Sequence, residues 1–181
     1  MKKLAVLVLT SLGLAGCYST ELSTQGKAYD ATKDARVRVY GQNGRPSSLE
    51  TTVNGKAEKI TVGGSLGQAF SSMVGAKDNE SIGMPATPLS KNPSAHSKLL
   101  SGIFFKEFIV PAGATVVVNN SIMDTTSQSV GYTLTHKITT TTTVKGCSGN
   151  TVTFETEAGK DYEVAPISSD RQCGVTVYEI K

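Results

Sequence analysis

The sequence predicts one antiparallel β-sandwich of about seven to eight strands, carrying one long Gly/Ser/Pro-rich insertion and one short helix. Three observations carry that prediction. Short β-branched and aromatic runs recur between turn residues from Asp34 onward. An Asn54-Gly55 step, a strong hairpin signal, stands between two extended runs. Only the stretch around Leu66 to Met73 offers a helix, so the strand–helix alternation of a parallel sheet is missing.

The elements follow in order. In "DARVRVYG", Val37 and Val39 alternate with Arg36, Arg38 and Tyr40, which is the period of a strand with one buried face. "QNGRPSS" is a loop, and "TTVNGKAEKITV" is a hairpin about Asn54-Gly55. Residues 63–102 hold many Gly and Ser residues with Pro85, Pro88 and Pro93, and no clean strand. A loop of that length is uncommon in a compact domain and is usually functional. "GIFFKEFIV" and "ATVVVNNSI" are β-prone runs joined by Pro111-Ala112-Gly113. "VGYTLTHKITTTTTV" reads as one long β-branched segment, "NTVTFETEAGKDYEVAPI" as strand, turn and strand, and "CGVTVYEI" as the closing strand.

The N-terminus is of another kind. Lys2-Lys3 precede the apolar run "LAVLVLTSLGLA", a charged and an apolar region too short to span a bilayer comfortably. The run ends in "LAGC", which resembles the lipobox of bacterial lipoproteins. The small residues Ala15 and Gly16 suit entry into a signal peptidase, and Cys17 supplies the thiol for acylation. The expected division is a signal peptide over 1–16, a lipidated Cys17 with a flexible tether over 17–33, and a single domain over 34–181. Tyr18 stands where the lipoproteins it resembles carry Asp when they stay at the inner membrane, so the expected location is the outer membrane. The anchor would be acyl chains and not a membrane-spanning helix, each buried methylene adding about 0.8 kcal/mol.

Removal of sixteen residues from 181 leaves 165, enough for one domain with a real core. The removed segment carries two lysines and no acid, so the formal charge falls from +3 to +1. With no basic run and no tryptophan, nothing in the chain marks a nucleic-acid surface. Of three cysteines, one is the lipidation site, which leaves Cys147 and Cys173 as an even pair for an oxidising compartment. A disulfide between them is expected; two sulfurs without a nearby histidine do not make a zinc site. No cofactor is expected.

"ARVRVYGQNG", "VNGK", "FKEFIVPAGATV" and "VTFETEAGKDYEV" followed by a late cysteine resemble uncharacterised bacterial lipoproteins with a PEGA-like or transthyretin-like β-sandwich. The resemblance covers most of residues 35–181. It implies a fold and an envelope location, and brings no activity with it, because its motifs are turns.

Candidates for chemistry are few. Gly63-Gly64-Ser65-Leu66-Gly67 has the letters of the nucleophile elbow of serine hydrolases, and Asp124 with His136, or Asp78 with His96, follows Ser65 in the required order. The elbow needs a parallel sheet with crossover helices, so a glycine-rich turn is the expectation and Ser65 is not assigned as catalytic. His96 lies in a polar stretch and His136 in the threonine-rich strand, without the spacing of metal ligands. Thr139 to Thr143 suit a pleated strand better than a hydroxyl array for glycans. Lys106 and Glu107 must point to opposite faces of their strand, and a buried Glu107 would take Arg36 or Arg38 as partner. Arg-Val-Arg as an anion clamp is the weaker alternative.

The expected function is that of a non-enzymatic envelope lipoprotein binding another envelope component, as an accessory or anchoring subunit. An exclusion or immunity factor, a glycan-binding lipoprotein and, last, a serine hydrolase are the alternatives. Recognition is expected in the 63–102 segment, unless that segment caps the core.

Overall fold

The computed structural model describes residues 21–42, 45–64, 79–93, 103–122, 125–132, 137–144, 146–167 and 173–181. Cys17, Ser65, Asp78, His96, Asp124 and His136 lie outside them, as do the expected signal peptide and the Leu66–Met73 helix.

Two four-stranded sheets face each other. The first has the order β10-β9-β1-β4, from β1 (Asp34–Gly41), β4 (Phe104–Pro111), β9 (Asp161–Pro166) and β10 (Val175–Ile180). The second has the order β3-β2-β5-β8, from β2 (Ser47–Val53), β3 (Lys56–Val62), β5 (Thr115–Ile122) and β8 (Cys147–Glu155). The predicted sandwich is therefore present, with one parallel pairing, β1 with β9, among antiparallel ones. Asn54 and Gly55 turn the β2–β3 hairpin at φ 51° and 76°, the paired positive values that a two-residue hairpin turn requires.

The other two turns read from the sequence do not make hairpins. Pro111-Ala112-Gly113 and the Glu157–Lys160 turn carry the chain from one sheet to the other, β4 to β5 and β8 to β9. Thr156 joins the two crossings. Its hydroxyl donates to Pro111 O at 2.7 Å and accepts from Ala114 N at 3.2 Å, while Gly113 N donates to Thr156 O at 2.7 Å.

The run 130–144, expected as one segment, is divided between two strands. β6 (Thr125–Tyr132) and β7 (Lys137–Val144) pair antiparallel as a separate two-stranded ribbon. Fifteen residues of continuous strand would extend about 50 Å, longer than the sheets they would have to pair with. No Gly or Pro marks the reversal.

Between the sheets lies a core of Val37, Val39, Phe108, Val110, Tyr162, Val164 and Val175 against Leu49, Ile60, Val62, Val116 and Val118. Leu22 belongs to it, 2% exposed, and the Thr24 hydroxyl donates to Ile109 O at 2.6 Å. The Lys27 ammonium pairs with the buried Asp34 carboxylate at 2.8 Å. The tether expected over 17–33 is thus corrected from residue 22 onward. A single leucine with no apolar period was enough, because it fills a place the core already provides.

Cys147 and Cys173 form the expected disulfide, with Cα atoms 5.9 Å apart. It joins the start of β8 to the residue just before Gly174 and β10, and so ties the edge strand of one sheet to the edge strand of the other. Gly149 permits this closeness: a Cβ there would lie 2.6 Å from Gly174 N. Beside it, the Asn150 side chain accepts from Val175 N at 2.8 Å and donates to Val175 O at 3.1 Å.

Candidate functional site

The outer face of the first sheet is the unusual surface. Period two puts Arg36, Arg38 and Tyr40 of β1 opposite the core-facing Ala35, Val37 and Val39. The parallel register sets Arg36 beside Asp161 and Arg38 beside Glu163, and the antiparallel register sets Arg38 beside Glu107. An exposed face would leave these charges wet. Here Arg38, Glu107, Asp161 and Glu163 are buried and Arg36 is largely covered, because residues 79–93 cross over them as a roof.

Glu107 holds the roof. Its Oε1 accepts from Arg38 Nη2 at 2.6 Å and Nε at 2.9 Å. Its Oε2 accepts from the Ser81 hydroxyl at 2.8 Å, Ile82 N at 2.7 Å and Met84 N at 3.2 Å. Burial pushes the Glu107 carboxyl up, but the Ser81, Arg38, Ile82 and Met84 hydrogen bonds outweigh it, and the group stays below its ordinary range. Arg38 also donates to Pro85 O at 2.9 Å, and Arg36 to Gly83 O at 3.0 Å while it clamps Asp161 with two bonds of 2.7 Å. The Arg38 guanidinium stacks 5.0 Å from the Phe105 ring, and Arg36 lies 4.4 Å from that of Tyr29.

The roof is also hydrogen-bonded to the sheet margin. Glu80 N donates to Phe105 O at 3.0 Å, and Glu107 N donates to Glu80 O at 2.9 Å, so Glu80 extends the sheet past β4 by one bridge. Lys106, on the inner side of β4 across from Val39, sends its ammonium out to Glu80 at 2.7 Å. Both charges of the Lys106-Glu107 pair are therefore buried, and each has its own partner. Of the two arginines expected as partners of a buried Glu107, Arg38 takes that place and Arg36 pairs with Asp161.

Further along the roof, Thr87 caps a short helix, α1 (Pro88–Lys91). Its hydroxyl accepts from Ser90 N at 3.0 Å, and Ser90 Oγ accepts from Thr87 N at 2.8 Å, a reciprocal capping box with Pro88 in the first turn. The same hydroxyl donates to Glu163 Oε1 at 2.6 Å. Tyr40 donates to that oxygen at 2.8 Å, and Arg38 Nη1 at 3.1 Å. Burial and the Glu163 carboxylate hold the Tyr40 phenol in its neutral form.

Where α1 meets β9 and β10 the roof leaves a cleft of about 330 Å³, lined by Pro88, Leu89, Ile103, Glu163, Ala165, Pro166 and Tyr178. Tyr178 is 54% exposed. Beneath it, Tyr40, Ile103 and Phe105 form a small apolar cluster with Leu89.

Glu163, Thr87 and Tyr40 were not singled out by sequence reasoning. A signal was present: Arg-x-Arg in β1 has the same two-residue spacing as Asp-x-Glu in β9. Its meaning depends on the parallel pairing of two strands far apart in the chain.

The nucleophile elbow finds no suitable setting in the described residues. The strand before it, β3, is an antiparallel edge strand, and Gly63 leaves it with φ 91° against the Gln42 backbone. Of the threonine run, Thr139 and Thr141 are exposed on β7. Comparison with known proteins found no matching family model, no matching curated protein and no matching solved structure.

Proposed function

We propose that this chain is a lipid-anchored protein of the bacterial envelope, non-enzymatic, which binds another envelope component as an accessory or anchoring subunit at the outer membrane. The observation that carries the reading is "LAGC" after a charged start and an apolar run, with Cys17 as the acylated residue. The Cys147–Cys173 disulfide supports it, since such bonds persist in oxidising compartments. The resemblance to PEGA-like and transthyretin-like lipoproteins agrees with the same location. Recognition in this reading belongs to the roofed face, where a rigid sheet carries a cleft that is mostly apolar with one carboxylate.

The test is Cys17→Ser, followed by membrane fractionation and labelling with an alkyne-tagged palmitate. Loss of label, loss of membrane partitioning and accumulation of unprocessed precursor are expected. A mutant that still fractionates with the outer membrane and is extracted by detergent would overturn the anchor. Crosslinking in intact envelopes, followed by affinity purification, identifies the bound component and separates the subunit role from exclusion or immunity. A glycan-binding role draws on the exposed Thr139 and Thr141, and is tested with cell-wall fragments.

A further inference from the structure

Glu163 is 6% exposed, and the three hydrogen bonds its carboxylate accepts all end on Oε1. Every buried side-chain nitrogen or oxygen among the described residues has a partner. Oε2, which takes none of the three, therefore keeps some contact with solvent, and Glu163 is the one acidic residue that lines the cleft.

The charge around it does not balance. Among the described residues, Arg38 is the one cation in contact with Glu107 and Glu163, and it serves both carboxylates, with short bonds of 2.6 and 2.9 Å to Glu107. Tyr40 and Thr87 contribute dipoles and no charge. One negative charge is left over, at the end of an otherwise apolar cleft, where opposite charge is attracted more strongly than at an open surface.

We propose that this cleft binds a primary ammonium carried on a short aliphatic stem. Shape and charge distinguish this ligand from its rivals. A guanidinium recognises a carboxylate through both oxygens, and Oε1 is already occupied by three donors. A single free oxygen suits the compact point charge of an ammonium. Pro88, Leu89, Ile103 and Ala165 suit methylene groups, and the Tyr178 ring stands at the mouth. A volume of about 330 Å³ lies at the small end of ligand sites, short of what a sugar chain or nucleotide needs. The ammonium can come from a lysine side chain of a partner protein or from a free alkylamine; the chemistry is shared. This inference deepens the recognition role proposed above, but its test does not depend on the lipid anchor.

The experiment titrates the purified full-length protein with n-pentylamine, with 1-pentanol as the neutral isostere and with Nα-acetyl-lysine methylamide as the peptide-borne ammonium. Calorimetry and saturation-transfer NMR read the binding. Pentylamine is expected to bind at least tenfold more tightly than pentanol. Lysine methylamide binding as well as pentylamine assigns the source to a protein side chain; pentylamine binding alone assigns it to a free amine. Glu163→Gln keeps an acceptor for Tyr40 and Thr87 and should lose most of the preference for amine over alcohol. Ala165→Leu, which occupies the cleft and leaves the hydrogen-bond network alone, should weaken both ligands. Equal binding of amine and alcohol, or no binding of either ammonium, overturns the proposal on the wild-type protein alone, whatever the variants do.

Discussion

Arg38 Nη2 lies 2.6 Å from Glu107 Oε1, and both side chains are almost wholly out of solvent although 69 positions separate them. They meet on the outer face of a sheet, not in the core between the sheets. An ion pair so placed fixes geometry more than it adds stability, since two charges had to leave water to form it. What it positions is the roof, because the other oxygen of Glu107 holds Ser81, Ile82 and Met84.

Glu107→Ala should therefore cost about 3–5 kcal/mol: Arg38 keeps Glu163 and the Met84 and Pro85 carbonyls, but the Ser81 hydroxyl and the Ile82 and Met84 amides lose their buried acceptor. Chemical denaturation measures the loss. Hydrogen exchange should show the Ile82 and Met84 amides unprotected before the amides of β2 and β5. Uniform loss of protection across both sheets would show that the roof and the sandwich open as one unit.

The acid limb of stability follows from the same group. The Glu107 carboxyl lies below its ordinary value of 4.5 in the folded protein, so the unfolded chain takes up the proton more readily. Its contribution is complete above that ordinary value and is lost as pH falls through the lower, folded value. Melting temperature should be flat with respect to Glu107 above about pH 5 and fall below pH 4.5. Glu107→Gln should make that acid limb shallower. An unchanged slope in the variant would assign the acid sensitivity to other carboxylates.

Cys173→Ser should lower stability by about 3 kcal/mol, on the chain-entropy account of closing a loop of this size. Peptide mapping of unreduced protein should find Cys147 linked to Cys173, and reduction of the wild type should reproduce the loss in the variant. Full stability after complete reduction would assign the closing of that side of the sandwich to Asn150 and the packing around it.

Leu22→Ala should destabilise by about 2–5 kcal/mol, a drop in melting temperature of about 5–15 °C. A true tether would show no change. Truncation before residue 30 should have an effect at least as large, because it also removes the Thr24 and Lys27 contacts.

The sequence by itself determined most of the strands, the Asn54-Gly55 hairpin, the two alternating faces of β1 and the cysteine pairing, but not that both faces of β1 are buried. These depend on local period, turn chemistry and an even count of cysteines, all of which can be read within a few residues or by elimination. It also limited the partners of Glu107 to two arginines. The tertiary structure alone decided which arginine, since Arg36 and Arg38 differ only in their register against β4 and β9. It decided that Pro111-Ala112-Gly113 joins two sheets and not two neighbours, because the same turn residues serve either connection. It brought Glu163 beneath Thr87 across 76 positions, and no local pattern records a contact of that separation. It also placed Leu22 in the core, since one apolar side chain in a polar stretch has no periodicity, and only the space left between two sheets gives it a place.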